Sequence, residues 1–152
     1  MSICNPHIFF SKINKGERLL GIDYGDKFLG LAMSDEGLII SNPLVTLERK
    51  KFLNLVESII KIIKVNKIGG IVIGWPLNMD GSQGFRCDAT RDFSYAFLKK
   101  YECPIFFQDE RFSTSFAKET LKGSKFKKKK LKHLENSIAA SWILQSFLDS
   151  QK

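Results

Sequence analysis

The sequence predicts an α/β domain built on one five-stranded mixed sheet, and three observations carry this. Short apolar runs at 18–23, at 28–34 and from 38 onward follow each other closely, as in an antiparallel meander. Later, short apolar runs alternate with segments whose apolar residues recur every three or four positions, the order that gives parallel pairing through helical crossovers. The chain has 152 residues, enough for one domain with a sizeable core and too few for two.

The elements follow in order. Residues 1–17 show no clear period and are expected to form a loosely held extension before a single domain at 18–152. Leu19, Leu20 and Ile22 make the first strand, which ends on Asp23, and Gly25 turns the chain. Residues 28–34 make the second strand, Asp35-Glu36-Gly37 is a turn, and Leu38-Ile39-Ile40 opens the third. Phe52, Leu53, Val56, Ile59, Ile60 and Ile63 form the apolar stripe of a helix. Gly69-Gly70 breaks it, and Ile71-Val72-Ile73-Gly74 is a short buried strand. A loop rich in Gly, Asn and Asp covers 76–84, and a helix over 88–100 carries Ala89, Phe93, Ala96 and Phe97 on one face. Pro104 opens the fifth strand at 105–108, a helix covers 114–122, and a last helix covers 136–149. The order is β-β-β-α-β-α-β-α.

A net charge of +8 suits a polyanionic partner. The charge is concentrated: Lys122, Lys125, Lys127, Lys128, Lys129, Lys130 and Lys132 crowd together with no acid among them. Such a block repels itself and reads as a mobile loop, placed to contact phosphates. Cys4, Cys87 and Cys103 are odd in number and lack CxxC spacing, so neither a disulfide framework nor a zinc site is expected, and free thiols fit a reducing cytoplasm. No apolar run approaches the ~20 residues of a membrane span, so no membrane partner is expected.

Ligands gather at the carboxyl ends of strands in an open α/β sheet. Asp23, the loop after Gly74 and Asp109-Glu110 all lie at such ends. Carboxylates are costly to bury unless paired or bound to metal, and a hard cation such as Mg²⁺ prefers oxygen ligands. Each residue has a plainer reading. Asp23 suits a turn at Gly25, and Asp109 and Glu110 suit an acidic pair neutralised by Arg111 that caps the next helix. Asp109 and Glu110 face opposite ways if the strand runs through them, so only one can join Asp23. Asn78 and Gly81 suit a loop that approaches a ligand backbone or a simple turn. Trp75 suits base stacking or the core.

Five segments in fixed order resemble the RuvX-like (YqgF) family, described as Holliday-junction-resolvase-like and associated with pre-16S rRNA cleavage. They are Gly21-Ile22-Asp23-Tyr24-Gly25; Gly30-Leu31-Ala32 with Ser34-Asp35; Gly74-Trp75-Pro76-Leu77-Asn78-Met79-Asp80-Gly81; Asp109-Glu110-Arg111 with Ser113-Thr114; and Ile138-Ala139-Ala140 with Ile143-Leu144-Gln145. The resemblance spans residues 18–149. It implies an RNase H-like fold and a metal-dependent nuclease site with Asp23 and Glu110 as two of its carboxylates. The family's third carboxylate falls at Asn136, with Glu135 just before it, and its usual basic residue falls at Phe28.

The resulting expectation is phosphodiester hydrolysis with Mg²⁺ or Mn²⁺, in 5′-end processing of precursor 16S rRNA. Asp23, Glu110 and Asn136 are the expected catalytic and metal-binding residues, with Glu135 able to replace Asn136. Arg111 would orient Glu110 or touch a phosphate. Asn78, Lys125, Lys127, Lys128, Lys129 and Lys130 would hold nucleic acid without sequence choice. The alternatives are a resolvase of branched DNA and a structured-RNA-binding module with little cleavage, favoured by Asn136. A sugar-kinase or actin-like enzyme needs two domains closing on ATP, and this chain has room for one.

Overall fold

Strand β1 (Arg18–Tyr24) occupies the centre of a five-stranded sheet, in a computed structural model that describes residues 3–151. Met1, Ser2 and Lys152, and with them the two ends of the expected extension and domain, lie outside the described residues. The other strands are β2 (Phe28–Ser34), β3 (Ser41–Glu48), β4 (Ile68–Trp75) and β5 (Ile105–Asp109), in the order β3-β2-β1-β4-β5. β1 pairs antiparallel with β2 and β2 with β3, while β1–β4 and β4–β5 are parallel. Meander and crossover half are thus joined along β1. The helices are α1 (Pro6–Ser11), α2 (Phe52–Asn66), α3 (Phe85–Lys100), α4 (Ser113–Leu121) and α5 (Lys128–Ser150).

Side chains alternate across a strand, so each strand feeds two cores. Leu20, Ile22, Leu29, Leu31, Ile71 and Ile73 meet Leu55, Val56, Ile59 and Ile63 of α2 and Phe93 and Phe97 of α3. Leu19 and Val72 face the other way, against Ile143, Leu144, Phe147 and Leu148 of α5 and Phe9 of α1. Asp23 shares the parity of Leu19 and Gly21. Glu110, just past β5, shares that of Phe106. Both carboxylates therefore belong to the α5 face of the sheet.

Glycines let α5 lie directly on that face. A Cβ on Gly21 would stand 2.8 Å from Leu144 Cβ, and one on Gly30 would stand 2.0 Å from the main-chain oxygen of Asn136. Gly30 pairs with Asp23 across β1 and β2, so the same contact sets Asn136 above the end of β1.

Four expectations need correction. Residues before β1 are not all loosely held: α1 seats Phe9 fully buried beside Phe106 and Phe147, and Cys4 N donates to Ile105 O at 2.9 Å. The third strand starts at Ser41, not at 38, because Asp35 Oδ1 accepts from both Ile39 N and Ile40 N and holds that run as a turn. The second-half helices start early: α3 begins at Phe85 instead of 88. Most consequential, the lysine block is not simply a loop, because α5 begins at Lys128, eight residues before the expected start. Lysine is a good helix former, like-charge pairs on a helix surface cost only a few tenths of a kcal/mol each, and the buried face downstream anchors the helix.

Candidate active site

Asp23 near the end of β1 and Glu110 just past β5 are only 7% and 8% exposed. β4 lies between their strands. Trp75 pairs with Asp109, and Glu110 N donates to Trp75 O at 3.2 Å, which fixes the turn after β5. Gly74 makes room for the Glu110 side chain: a Cβ there would lie 2.8 Å from its carboxyl carbon. Ser113 Oγ at the start of α4 donates to Glu110 Oε2 at 3.3 Å. Glu110 Oε1 is buried and receives no hydrogen bond from the described residues.

The two carboxyl groups are close enough to share a hydrogen bond. Ionised carboxylates only accept, so that bond requires a proton on one of them. Burial first, and then the negative charge of Asp23, push Glu110 up to about 9. Burial also raises Asp23, with the charge of Glu135 adding to it and Arg86 opposing it. The hydrogen bond pulls Asp23 down and Glu110 up, so the two groups titrate as a pair.

A cleft of about 460 Å³ opens over Asp23, lined by Gly25, Asp26, Lys27, Phe28, Arg86 and Thr114, and by Lys132, Glu135 and Asn136 of α5. Asn136 Nδ2 donates to Lys132 O at 2.9 Å. A carbonyl can only accept, so the amide orientation is fixed and Oδ1 remains an available acceptor on the cleft side, near Gly25. Glu135 also lines the cleft despite its turn of about 100° along the helix from Asn136. Its carboxylate lies 3.8 Å from Lys132 Nζ. Among the described residues no group of three His, Cys, Asp or Glu side chains could hold a metal ion. Two carboxylates, one of them with a buried oxygen lacking a donor, and an amide oxygen form an all-oxygen set suited to a hard divalent cation.

The structure separates the expected nucleic-acid contacts. Arg111 pairs with Asp109 through Nε and Nη2, both 3.0 Å from Oδ2, and donates to Met79 O at 3.3 Å. It braces the 76–84 loop and does not orient Glu110. Asn78 is tied into that loop by Ser82, its Nδ2 donating to Ser82 Oγ at 3.0 Å, and does not line the cleft. Lys125 and Lys127 precede α5. Lys128 and Lys129 line a second groove with Phe28, Leu131, Lys132, His133 and Glu135, which continues from the cleft along the helix. The Phe28 ring rests on His133, 4.8 Å between centroids, while its neighbour Lys27 brings a positive charge to the cleft. Arg86 and Lys27 have no marked place in the sequence pattern, and Thr114 enters it only as part of a family-like segment. Arg86 falls between the expected loop at 76–84 and the expected helix at 88–100, and the early start of α3 places it in a helix that reaches the cleft.

Changing Lys127, Lys128, Lys129 and Lys130 together to Ala is expected to weaken binding to all nucleic-acid sequences alike. The log–log salt slope should fall by about 0.7 per lost contact on single strands and about 0.9 on duplex DNA. Unchanged affinity and slope, measured by titration at several salt concentrations, would leave these lysines as a solvated helix end.

The sheet order, the covering α5 and the carboxylates at the ends of β1 and β5 define an RNase H-like fold of the kind found in Holliday junction resolvases. Thermus thermophilus RuvC in complex with a Holliday junction substrate matches over 89% of this chain and 96% of its own, with a TM-score of 0.53 at 12% identity. The fowlpox virus resolvase with junction DNA matches over 88% of this chain and 98% of its own, with a TM-score of 0.53 at 13% identity. Sequence narrows the class: a family model described as "RuvX: Holliday junction resolvase" matches residues 17–150, and the chain belongs to that family. Among similar proteins, one from Paramagnetospirillum magneticum is 35% identical, covering 99% of this chain and 97% of its own length. Another, from Bartonella henselae, is 40% identical, covering 98% and 94%. Both carry the name "Putative pre-16S rRNA nuclease".

Proposed function

We propose that this chain is a metal-dependent nuclease that cleaves phosphodiesters at the 5′ end of precursor 16S rRNA. The observation that carries the reading is the buried Asp23–Glu110 pair, in which Glu110 Oε1 receives no hydrogen bond from the described residues. Asp23, Glu110 and Asn136 Oδ1 would hold Mg²⁺ or Mn²⁺, with Glu135 at the edge of the same cleft. A divalent ion bound there would activate water and stabilise charge on the phosphate oxygens. The remaining work falls to the chain's own groups. Ser113 holds Glu110 in place, Lys27, Arg86 and Lys132 attract the phosphate backbone, and the lysines of α5 extend that grip along the groove. No disulfide joins Cys4, Cys87 and Cys103, which suits the reducing cytoplasm in which such a substrate is made. No described helix is long and apolar enough to cross a membrane.

Asn136 favours a second reading, in which the chain binds structured RNA and cuts it slowly. The site stands one negative charge short of three carboxylates. Asn136→Asp is expected to tighten Mn²⁺ binding and speed cleavage of a pre-16S rRNA fragment, with a smaller loss from Glu135→Ala. If Asn136→Asp changes neither and Glu135→Ala abolishes both, Glu135 is the third ligand. Four-way DNA junctions assayed beside the RNA distinguish the substrate.

A further inference from the structure

Two large aromatic side chains stand exposed where the chain approaches its carboxylates. Phe85 is 80% exposed and Phe112 is 58% exposed. Single exposed apolar residues are ordinary on any surface. These two differ in their neighbours and in what they lack. Phe85 opens α3 and is followed at once by Arg86, which lines the cleft and whose charge acts on both Asp23 and Glu110. Phe112 precedes Ser113, the donor to Glu110, and Thr114, which lines the cleft. Two further exposed rings have partners: Phe116 stacks on Trp142 at 4.6 Å, and Phe126 lies under Lys130. Among the described residues, neither Phe85 nor Phe112 makes a ring or cation contact, and Arg86 makes no ion pair.

We infer that Phe85 and Arg86 form a subsite for one unpaired nucleotide beside Asp23 and Glu110, the ring stacking on the base and the guanidinium meeting its phosphate. The occupant follows from charge and shape. The cleft carries Lys27, Arg86 and Lys132 around its carboxylates, so a phosphate backbone is the complementary ligand. A base inside a duplex already stacks on its neighbours and has no free face for Phe85. An unpaired base has both faces free, and stacking on an aromatic ring is tolerant of sequence. The chain should therefore prefer a single-stranded segment at the cleft, with Phe112 as a second platform for a neighbouring base. The subsite deepens the nuclease reading and rests on it only for its place beside the bond that is cut.

Binding tests it without cleavage. A fluorescently labelled single-stranded RNA and the duplex of the same sequence are titrated with the full chain in a chelator. The wild type should bind the single strand more tightly than the duplex. Phe85→Ala should weaken single-strand binding about 5- to 150-fold, the range for loss of one stacked base, and leave duplex binding nearly unchanged. Phe85→Trp should restore the single-strand affinity. Arg86→Ala should lower the single-strand salt slope by about 0.7. Equal losses on both ligands, unchanged single-strand affinity in Phe85→Ala, or no rescue by Phe85→Trp would overturn the subsite. A cleavage assay of Asp23→Asn separates the two readings: undiminished cutting would sink the nuclease site whatever Phe85 does.

Discussion

Asp23→Asn is expected to end cleavage and, in the absence of metal, to make the protein more stable. The wild type buries two carboxyl groups within hydrogen-bonding reach of each other. Burial and the nearby charge raise Glu110 to about 9, whereas in the unfolded chain it titrates near 4.3. Between these values the folded protein holds a proton that the unfolded chain has released. Unfolding then releases protons, so the pair's contribution is fully present below about pH 4.3 and is lost as pH rises toward 9. Asn at 23 removes the repelling charge. The gain should therefore be small near pH 5 and reach about 2 kcal/mol near pH 8, which at this length is a rise of roughly 4–8 °C in Tm. Thermal melts in a chelator from pH 5 to 8, with wild type and variant side by side, measure the difference. A variant that melts lower than wild type at pH 8 would show that Asp23 is a structural residue. With Mn²⁺ present the order should reverse, because only the wild type gains from binding.

Gly30→Ala should have the largest structural effect of any single methyl group. The added carbon would stand 2.0 Å from the Asn136 main-chain oxygen and 2.4 Å from its carbonyl carbon. Both are helix backbone, so no side chain can swing aside and α5 itself must lift. Overpacking of this kind costs about 1–3 kcal/mol, and a backbone collision belongs at or above the upper end. The expected loss in Tm is roughly 6–12 °C. Residual cleavage should fall by about 10²-fold, since a shift near 1 Å at a catalytic group is felt to that degree. Gly37→Ala is the control, because there the new carbon meets first a side-chain atom, Asp35 Oδ2 at 3.1 Å, and no backbone. Similar melting of Gly30→Ala and Gly37→Ala would mean that α5 does not need bare backbone beneath it.

The two carboxylates were legible in the sequence because each follows a run apolar enough to be a core strand; alternation lets only one of Asp109 and Glu110 join Asp23, and the family resemblance points to Glu110. Asn136 was legible only through the family resemblance, since nothing in its own neighbourhood marks it. The third strand misled in both directions. Leu38-Ile39-Ile40 has strand composition, yet the Asp35 side chain captures its amides. The true β3 is an edge strand that opens on the polar Ser41, Asn42 and Pro43 before Leu44, Val45 and Leu47, and proline is tolerated at such an edge. α1 is too short to show a period, and Phe9 acquires its meaning from Phe106 and Phe147, far away in sequence. Arg86 is the clearest omission. Its role depends on which way the start of α3 faces the cleft, and that is set by packing at Phe93 and Phe97 further along the helix.

The long final helix has a mechanical consequence. α5 is a single rod of 23 residues, about 34 Å long at 1.5 Å per residue. Its lysines and Asn136 ride on the same rod. Lys128, Lys129 and Lys130 sit at its positive end, with no acidic residue in the first turn and no side-chain cap. Their mutual repulsion and the helix dipole both work against that turn. A polyanion bound there would cancel the repulsion and tighten the turn, on the same rod that carries Asn136 over Asp23. On the proposed reading, gripping the strand and completing the site would be linked equilibria, and linkage runs both ways: whatever steadies Asn136 would also strengthen the grip. Slower amide hydrogen exchange at residues 128–136 when a polyanion is added, and tighter polyanion binding when Mn²⁺ is present, are the two faces of that one coupling.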